Sequence, residues 1–275
     1  MIASRLADVL VFMDAPEVTR DQLLRVHDAD YIDSIESRIP VQGYASLDPD
    51  TIISAGSLAA ARHAAGAAVA AVDLVMAENA DNAFCCVRPP GHHAERRQAM
   101  GFCLFNNIAV GAAHALEAHG LSRVAIIDFD VHHGNGTEDI FDRDERVLFC
   151  STFQHPFYPF TPLRENTPSR VSVPLEATAG SEDFRAAVTE HWLPALERFA
   201  PEMIFVSAGF DAHVADDMSS VALVDDDYRW VTEEIVRIAA KSASNRIVST
   251  LEGGYELHSL ARCVEIHLRV LMGLH

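Results

Sequence analysis

Positive charge is scarce in this chain. Lysine and arginine together number 21, against 40 aspartates and glutamates, for a net charge of −19 at pH 7. Basic patches and basic–aromatic interleaving are missing, which argues against a nucleic-acid partner. Cysteine is sparse too: Cys85, Cys86, Cys103, Cys150 and Cys263. Five is an odd number, no CxxC occurs, and three of them sit in apolar strand-like runs. Reduced, buried thiols in a cytoplasmic protein are expected. The first ten residues carry Arg5 and Asp8 and lack a continuous apolar stretch, so they do not read as a signal peptide. The longest apolar segment, Leu58 to Ala77, is alanine-rich and interrupted by Arg62, His63 and Asp73; it reads as a buried helix rather than a membrane span. Repeats, low-complexity tracts and linkers are lacking, and one domain over residues 1–275 is the simplest reading.

What is present is a core and an alternation. With 275 residues, 49% of them hydrophobic, the chain can bury a large interior. Apolar runs bounded by turn residues predict strands at Ala83–Val87, Arg123–Asp128, Val147–Thr152, Arg170–Pro174, Met203–Ala208 and Arg246–Leu251. Helical patterns fill Ser57–Ala77, Asn106–His119, Glu182–Phe199, Asp226–Ala240 and His258–Met272. Strands alternating with helices imply a mostly parallel α/β sheet covered on both faces.

Costly polar residues gather where these strands end. After Val87 comes "RPPGHHA", after Ile127 "DFDVHHGNG", after Ala208 "GFDAH" and after Leu251 "EGGY". In open α/β sheets the carboxyl ends of strands line the ligand crevice. Asp128, Asp130 and His132 are spaced by two. In a straight strand such residues lie about 6.6 Å apart, too far to share one ion at about 2.0–2.2 Å per bond. The strand should therefore end near Asp128 and bend through Asp130–His132. A histidine and an aspartate do not complete a site, and Asp211 is the best third ligand. Three protein ligands with an open position mark a catalytic metal centre, and an Asp2His set admits zinc, iron or cobalt. A metal-activated water needs a proton acceptor, and a leaving group needs a donor. The His92–His93 pair offers both, with Asp128 and Asn135 available as partners. Tyr255, after two glycines, could aim its hydroxyl at a developing oxyanion.

As a set, "RPPGHHA", "GFCLFNN", "DFDVHHGNGTEDIF", "SAGFDAH" and "LEGGY" strongly resemble the zinc-dependent histone deacetylase superfamily, which includes bacterial deacetylase-like amidohydrolases and acetylpolyamine amidohydrolases. The resemblance runs from about Val26 to the C-terminus. It implies an arginase-like α/β fold around an eight-stranded parallel sheet, and hydrolysis of an N-acyl amide on lysine, a polyamine or a similar amine. It implies zinc on Asp130, His132 and Asp211. It implies His92 as an electrostatic partner bonded to Asp128, His93 as general base and then acid, and Tyr255 as the group polarising the carbonyl. Phe102 and Tyr158 resemble the aromatic walls of a substrate tunnel, with Gly101 and Gly254 along it. A structural potassium ion is implied at Asp128 and the carbonyls of Asp130, His132, Ser151 and Thr152, and a second one near Phe141 and Val147.

Three features depart from the family pattern. Asn135 stands where one branch has aspartate, so His93 has no carboxylate to hold it protonated. The chain reaches its motifs early, with only "SRL" at Ser4–Leu6 resembling a first-strand motif, as though the N-terminal edge were shortened. "PFYPFTP" at Pro156–Pro162 fits small-molecule and protein deacetylases alike. Two rivals stand beside this reading. A binuclear arginase-type ureohydrolase would want an acid at position 134, which is Gly134, and a second one after Asp211, where Ala212 and His213 follow. An acyl-amine-binding protein without turnover would show lost site residues. The oligomeric state is open, and a homo-oligomer is compatible with the sequence.

Overall fold

A computed structural model describes residues 5–274. Among these residues eight strands form, in two groups. Strands β1 (Tyr44–Ser46) and β2 (Ile52–Ser54) pair with each other as a short antiparallel hairpin. The other six make one sheet: β3 (Asn82–Cys85), β4 (Val124–Asp128), β5 (Val147–Gln154), β6 (Arg170–Leu175), β7 (Met203–Ala208) and β8 (Ile247–Leu251). Their order is β3-β8-β7-β4-β5-β6, and every pairing is parallel.

The central sheet thus has six strands, not the eight that the family resemblance implied. The hairpin pairs with itself, and among the described residues 5–18 no strand forms. Within residues 5–18, Leu6–Asp8 is a single 3-10 turn, and Val18 donates one backbone hydrogen bond to Arg62, 3.0 Å away. Of the "SRL" motif, Ser4 lies outside the described residues, whereas Leu6 is buried against the core.

Both sheet faces are apolar because the strands alternate. Along β4, Ala125 and Ile127 join the core beneath Trp192, Tyr228 and Leu268, while Val124 and Ile126 join the one containing Val69, Val72 and Val110. Helices α3 (Ser57–Met76) and α4 (Asn107–Ala118) cover the second face. The first is covered by α8 (Asp225–Ser242), α9 (Leu257–Leu271), and by α6 (Ser181–Ala187) and α7 (Leu193–Phe199), which run on through one wider turn at Val188–Trp192. Helix α3 is long and apolar enough to cross a membrane, but packs Ala61, Ala65, Val69 and Val72 into the core. Short helices at Arg20–Leu23 (α1), Ala29–Ser37 (α2) and Asn135–Phe141 (α5) complete the part that frames the site.

The strand order fixes where a site can form. From β4 the chain steps outward through β5 to β6, then returns to the other side of β4 as β7 and steps the opposite way to β8. The reversal lies between β4 and β7, and such a switch point leaves a crevice at the carboxyl ends of the two strands.

Candidate active site

That crevice holds the acids and histidines of four strand ends. Strand β4 stops at Asp128, and the chain turns as the two-residue spacing required. Each acid is oriented by backbone donors. Asp128 Oδ1 accepts the Asp130 N–H at 3.1 Å, Asp130 Oδ2 accepts the Gly253 N–H at 2.8 Å, and Asp211 Oδ1 accepts the Val131 N–H at 3.0 Å. Gly253 has to be glycine: a Cβ there would run into both Asp211 and Asp130.

Asp130, His132 and Asp211 converge. His132 Nδ1 lies 3.0 Å from Asp130 Oδ1 and 3.1 Å from Asp211 Oδ2, and all three residues are buried. A ring nitrogen carries at most one proton, so it cannot satisfy two carboxylates. Asp211 Oδ2 is accordingly a buried oxygen without a hydrogen bond. Two anionic oxygens and an imidazole nitrogen around one point, one oxygen orphaned, are the donor set of a borderline divalent cation. Without a metal, burial opposes charge on His132, yet Asp211 and Asp130 overcome it and hold the ring protonated up to about 10. Burial and then Asp130 push Asp211 up to about 6.

A metal must displace these protons, so its apparent affinity should fall with acid. Because His132 keeps its proton up to about 10, we expect a loss of about tenfold per pH unit as pH falls from about 10, one proton per ion, steepening below about pH 6 as Asp211 takes up a second proton. Competition against a chelator at several pH values measures this slope. A pH-independent affinity would contradict the assignment of the ligands.

The two adjacent histidines meet opposite environments. His92 Nδ1 is 3.0 Å from Asp128 Oδ2, and Nε2 is 3.8 Å from Asp130 Oδ1. Burial lowers its basicity, but Asp128 and Asp130 outweigh that and raise it to about 10. His93 Nδ1 lies 2.8 Å from Asn135 Oδ1. The Asn135 amide is oriented by its Nδ2, which donates to Glu95 Oε1 at 2.7 Å. Its oxygen therefore faces His93, Nδ1 carries the proton, and Nε2 keeps a free lone pair. Burial, together with the charges of His92 and His132, drives His93 well below the usual imidazole range. One ring is a fixed cation and its neighbour a neutral base.

The remaining predicted residues surround this pair. Tyr158 stands edge-on to His93, ring centroids 5.2 Å apart, and to His132 at 6.0 Å. Phe102 meets the Tyr255 ring at 6.3 Å and is 39% exposed, which places it at the mouth. Gly101 takes a positive φ of 56°, and a Cβ there would strike the His93 ring. Gly254 also has a positive φ, 130°, just before Tyr255. Burial, then Asp211 and Asp130, raise the Tyr255 phenol, which stays protonated at neutral pH. Ser151 pairs in register with Asp128, and its buried Oγ has no hydrogen-bond partner, while Thr152 follows it, buried. His133 faces Glu138 at 3.2 Å, and His213 faces Asp225 at 3.0 Å, both away from the cluster.

Sequence reasoning missed several supports. Glu252, fully buried, accepts the N–H groups of Gly91 at 2.7 Å and His92 at 3.2 Å, and the Ser207 hydroxyl at 3.1 Å. It ties the double-histidine loop to the end of β8. Asp216 Oδ2 accepts the N–H groups of Tyr255 and Glu256 at 2.7 and 2.9 Å. Phe157 stacks on His132, centroids 5.4 Å apart at 19°. Glu252 left a trace in the sequence as an acid directly after an apolar strand, and Phe157 lies within "PFYPFTP", whereas Asp216 left none. Glu252→Ala would leave buried donors unpaired, at about 1–3 kcal/mol each. A lower Tm together with a lower kcat is expected; a normal Tm would show that Glu252 is not needed to hold the loop.

A parallel α/β sheet with an Asp2His cluster at its switch point, beside two adjacent histidines bonded one to a carboxylate and one to an amide, defines the class structurally. The chain belongs to the histone deacetylase family: the histone deacetylase domain matches residues 1–271. It is 41% identical over 253 residues to the histone deacetylase-like amidohydrolase of Pseudomonas aeruginosa, covering 90% of this chain and 66% of that protein. It is 36% identical to type-2 histone deacetylase 2 of Dictyostelium discoideum, covering 95% of this chain but 18% of that protein. With the human polyamine deacetylase HDAC10 it shares 35% identity, over 95% of this chain and 41% of that one. The crystal structure of the HDA15 HD domain superposes with a TM-score of 0.90 at 34% identity, covering 99% of this chain and 80% of that chain.

Proposed function

We propose that the chain is one zinc-dependent catalytic domain that hydrolyses the amide of an acylated primary amine, releasing a short carboxylate and the free amine. The observation that carries this reading is the pair of adjacent buried histidines beside the Asp2His cluster, one bonded to a carboxylate and the other to an amide. A zinc ion held by Asp130, His132 and Asp211 would supply Lewis acidity toward the amide carbonyl and lower the pKa of a coordinated water.

The chain's own residues supply the rest. His93 Nε2 takes the proton from the attacking water, because its Nδ1–H is committed to Asn135. It then delivers that proton to the departing amine. The Tyr255 hydroxyl, kept protonated, donates a hydrogen bond to the carbonyl oxygen as negative charge develops there. His92, charged and tied to Asp128, compensates part of the carboxylate charge without exchanging its proton. Phe102 and Tyr158 flank an aliphatic stem. Potassium fits the same strand end, where the orphaned Ser151 hydroxyl lies beside Asp128. A net charge of −19 favours approach of a cationic amine such as a lysine side chain or polyamine. All five cysteines are unpaired, which suits a reducing, cytoplasmic setting.

A panel of zinc-loaded assays tests the substrate class: an acetyl-lysine peptide, free acetyl-lysine and acetylated polyamines, each with and without a hydroxamate. Hydroxamate-sensitive release from one class assigns it. Metal bound at the Asp2His cluster with no turnover of any member would favour a binding protein instead.

A further inference from the structure

We propose that Asp73, His114 and His119 form a second cation site, for a divalent first-row transition ion such as Zn2+, Ni2+ or Cu2+, at the far end of the sheet from the catalytic crevice. Asp73 lies in the last turn of α3, His114 in α4, and His119 caps the end of α4. Both helices lead into strands of a parallel sheet, so their C-termini sit at the edge where strands begin, opposite the switch-point crevice. The proposal does not depend on the deacylase reading.

The donors converge. His114 Nε2 lies 2.8 Å and His119 Nε2 2.7 Å from the same oxygen, Asp73 Oδ1. The three ligand atoms all fall within 4.8 Å of one another. The rings meet at 77° with centroids 5.4 Å apart, so the two nitrogens approach from different sides rather than stacking. Two imidazoles and a carboxylate form a donor set for borderline ions, with water completing the shell. The Asp73 side chain is 54% exposed and that of His119 25%, so an ion can reach the cluster from solvent.

One neighbour opposes binding and thereby sets its strength. Arg25 Nη1 lies 2.7 Å from His114 Nδ1. A guanidinium only donates, so Nδ1 accepts and the proton of neutral His114 sits on Nε2. A metal on Nε2 requires the reverse, with Nδ1–H donating to an acceptor. Arg25 must therefore swing away when the ion binds. It borders a cleft of about 400 Å³ that also presents Glu117 and gives it room to do so. Glutamine at position 25 would offer an acceptor oxygen to Nδ1–H in place of the guanidinium.

The test is the metal content of intact protein at equilibrium with Zn2+, compared with that of His119→Ala and Asp73→Asn. The wild type should bind one equivalent more than either variant, whatever the catalytic cluster takes up. Arg25→Gln should tighten that extra equivalent by about tenfold or more. Ni2+ titrated past one equivalent, so that the Asp130–His132–Asp211 cluster cannot absorb it all, should broaden the ring resonances of His114 and His119 in the unaltered protein. Equal metal content in wild type and both ligand variants would overturn the site. So would unbroadened His114 and His119 signals, or an affinity that Arg25→Gln fails to raise.

Discussion

Replacing His93 with alanine is expected to lower kcat by about 10² to 10⁴ while metal content stays at the wild-type level. The size follows from the proposed role of the ring as the neutral base: His92 and His132 are held charged by carboxylates, which leaves His93 the imidazole with a free nitrogen lone pair beside the cluster. His92 cannot substitute, since its Nδ1 is bound to Asp128 and the ring is held charged. Metal is retained because His93 is not among the three converging donors. The pH profile adds a sign. A base whose pKa is depressed stays neutral as pH falls, so its protonation alone should cost activity only below the ordinary imidazole value of about 6.5. Asn135→Asp should move that limb upward, since a carboxylate beside Nδ1 favours the protonated ring. Wild-type kcat in His93→Ala would remove the histidine from the chemistry. Lost metal in the same variant would show that it acts through the ion instead.

Tyr255→Phe should lower kcat by about 10² to 10³, the usual cost of removing one donor to a developing oxyanion. Substrate KM should change little, because the hydroxyl bond strengthens only as charge builds on the carbonyl oxygen. The aromatic ring that faces Phe102 and Arg88 is retained, so the fold and the mouth are preserved. A variant with full kcat would mean that the phenol is a wall and not a donor. A rise in KM alone would place it in ground-state binding.

The site was more legible in the sequence than its frame. Steric reasoning on the spacing of Asp128, Asp130 and His132 required β4 to stop at Asp128, and it does. Strand β7 spans Met203–Ala208 as its apolar run predicts. Long apolar runs and long amphipathic helices are local signals, and these elements match within a few residues. Short elements carry no such signal. The hairpin of three-residue strands and the seven-residue α5, which starts at Asn135, follow from tertiary packing. The supports of the site were hidden for a related reason. Glu252 meets Gly91 across 161 residues of chain, and Asp216 meets Tyr255 across 39, and no spacing rule reaches that far. Nor does a double histidine announce that one ring is a cation and the other a base; that depends on whether a carboxylate or an amide lies behind each.

The most direct measurement is release of free amine from a trifluoroacetyl-lysine probe, whose activated amide reports the machinery whatever the natural substrate. Amine and trifluoroacetate should form in equal amounts. The rate should vanish on chelation, return with zinc, and fall with added hydroxamate. A zinc-replete, folded protein that binds the hydroxamate yet releases no amine would contradict the assignment of a hydrolase.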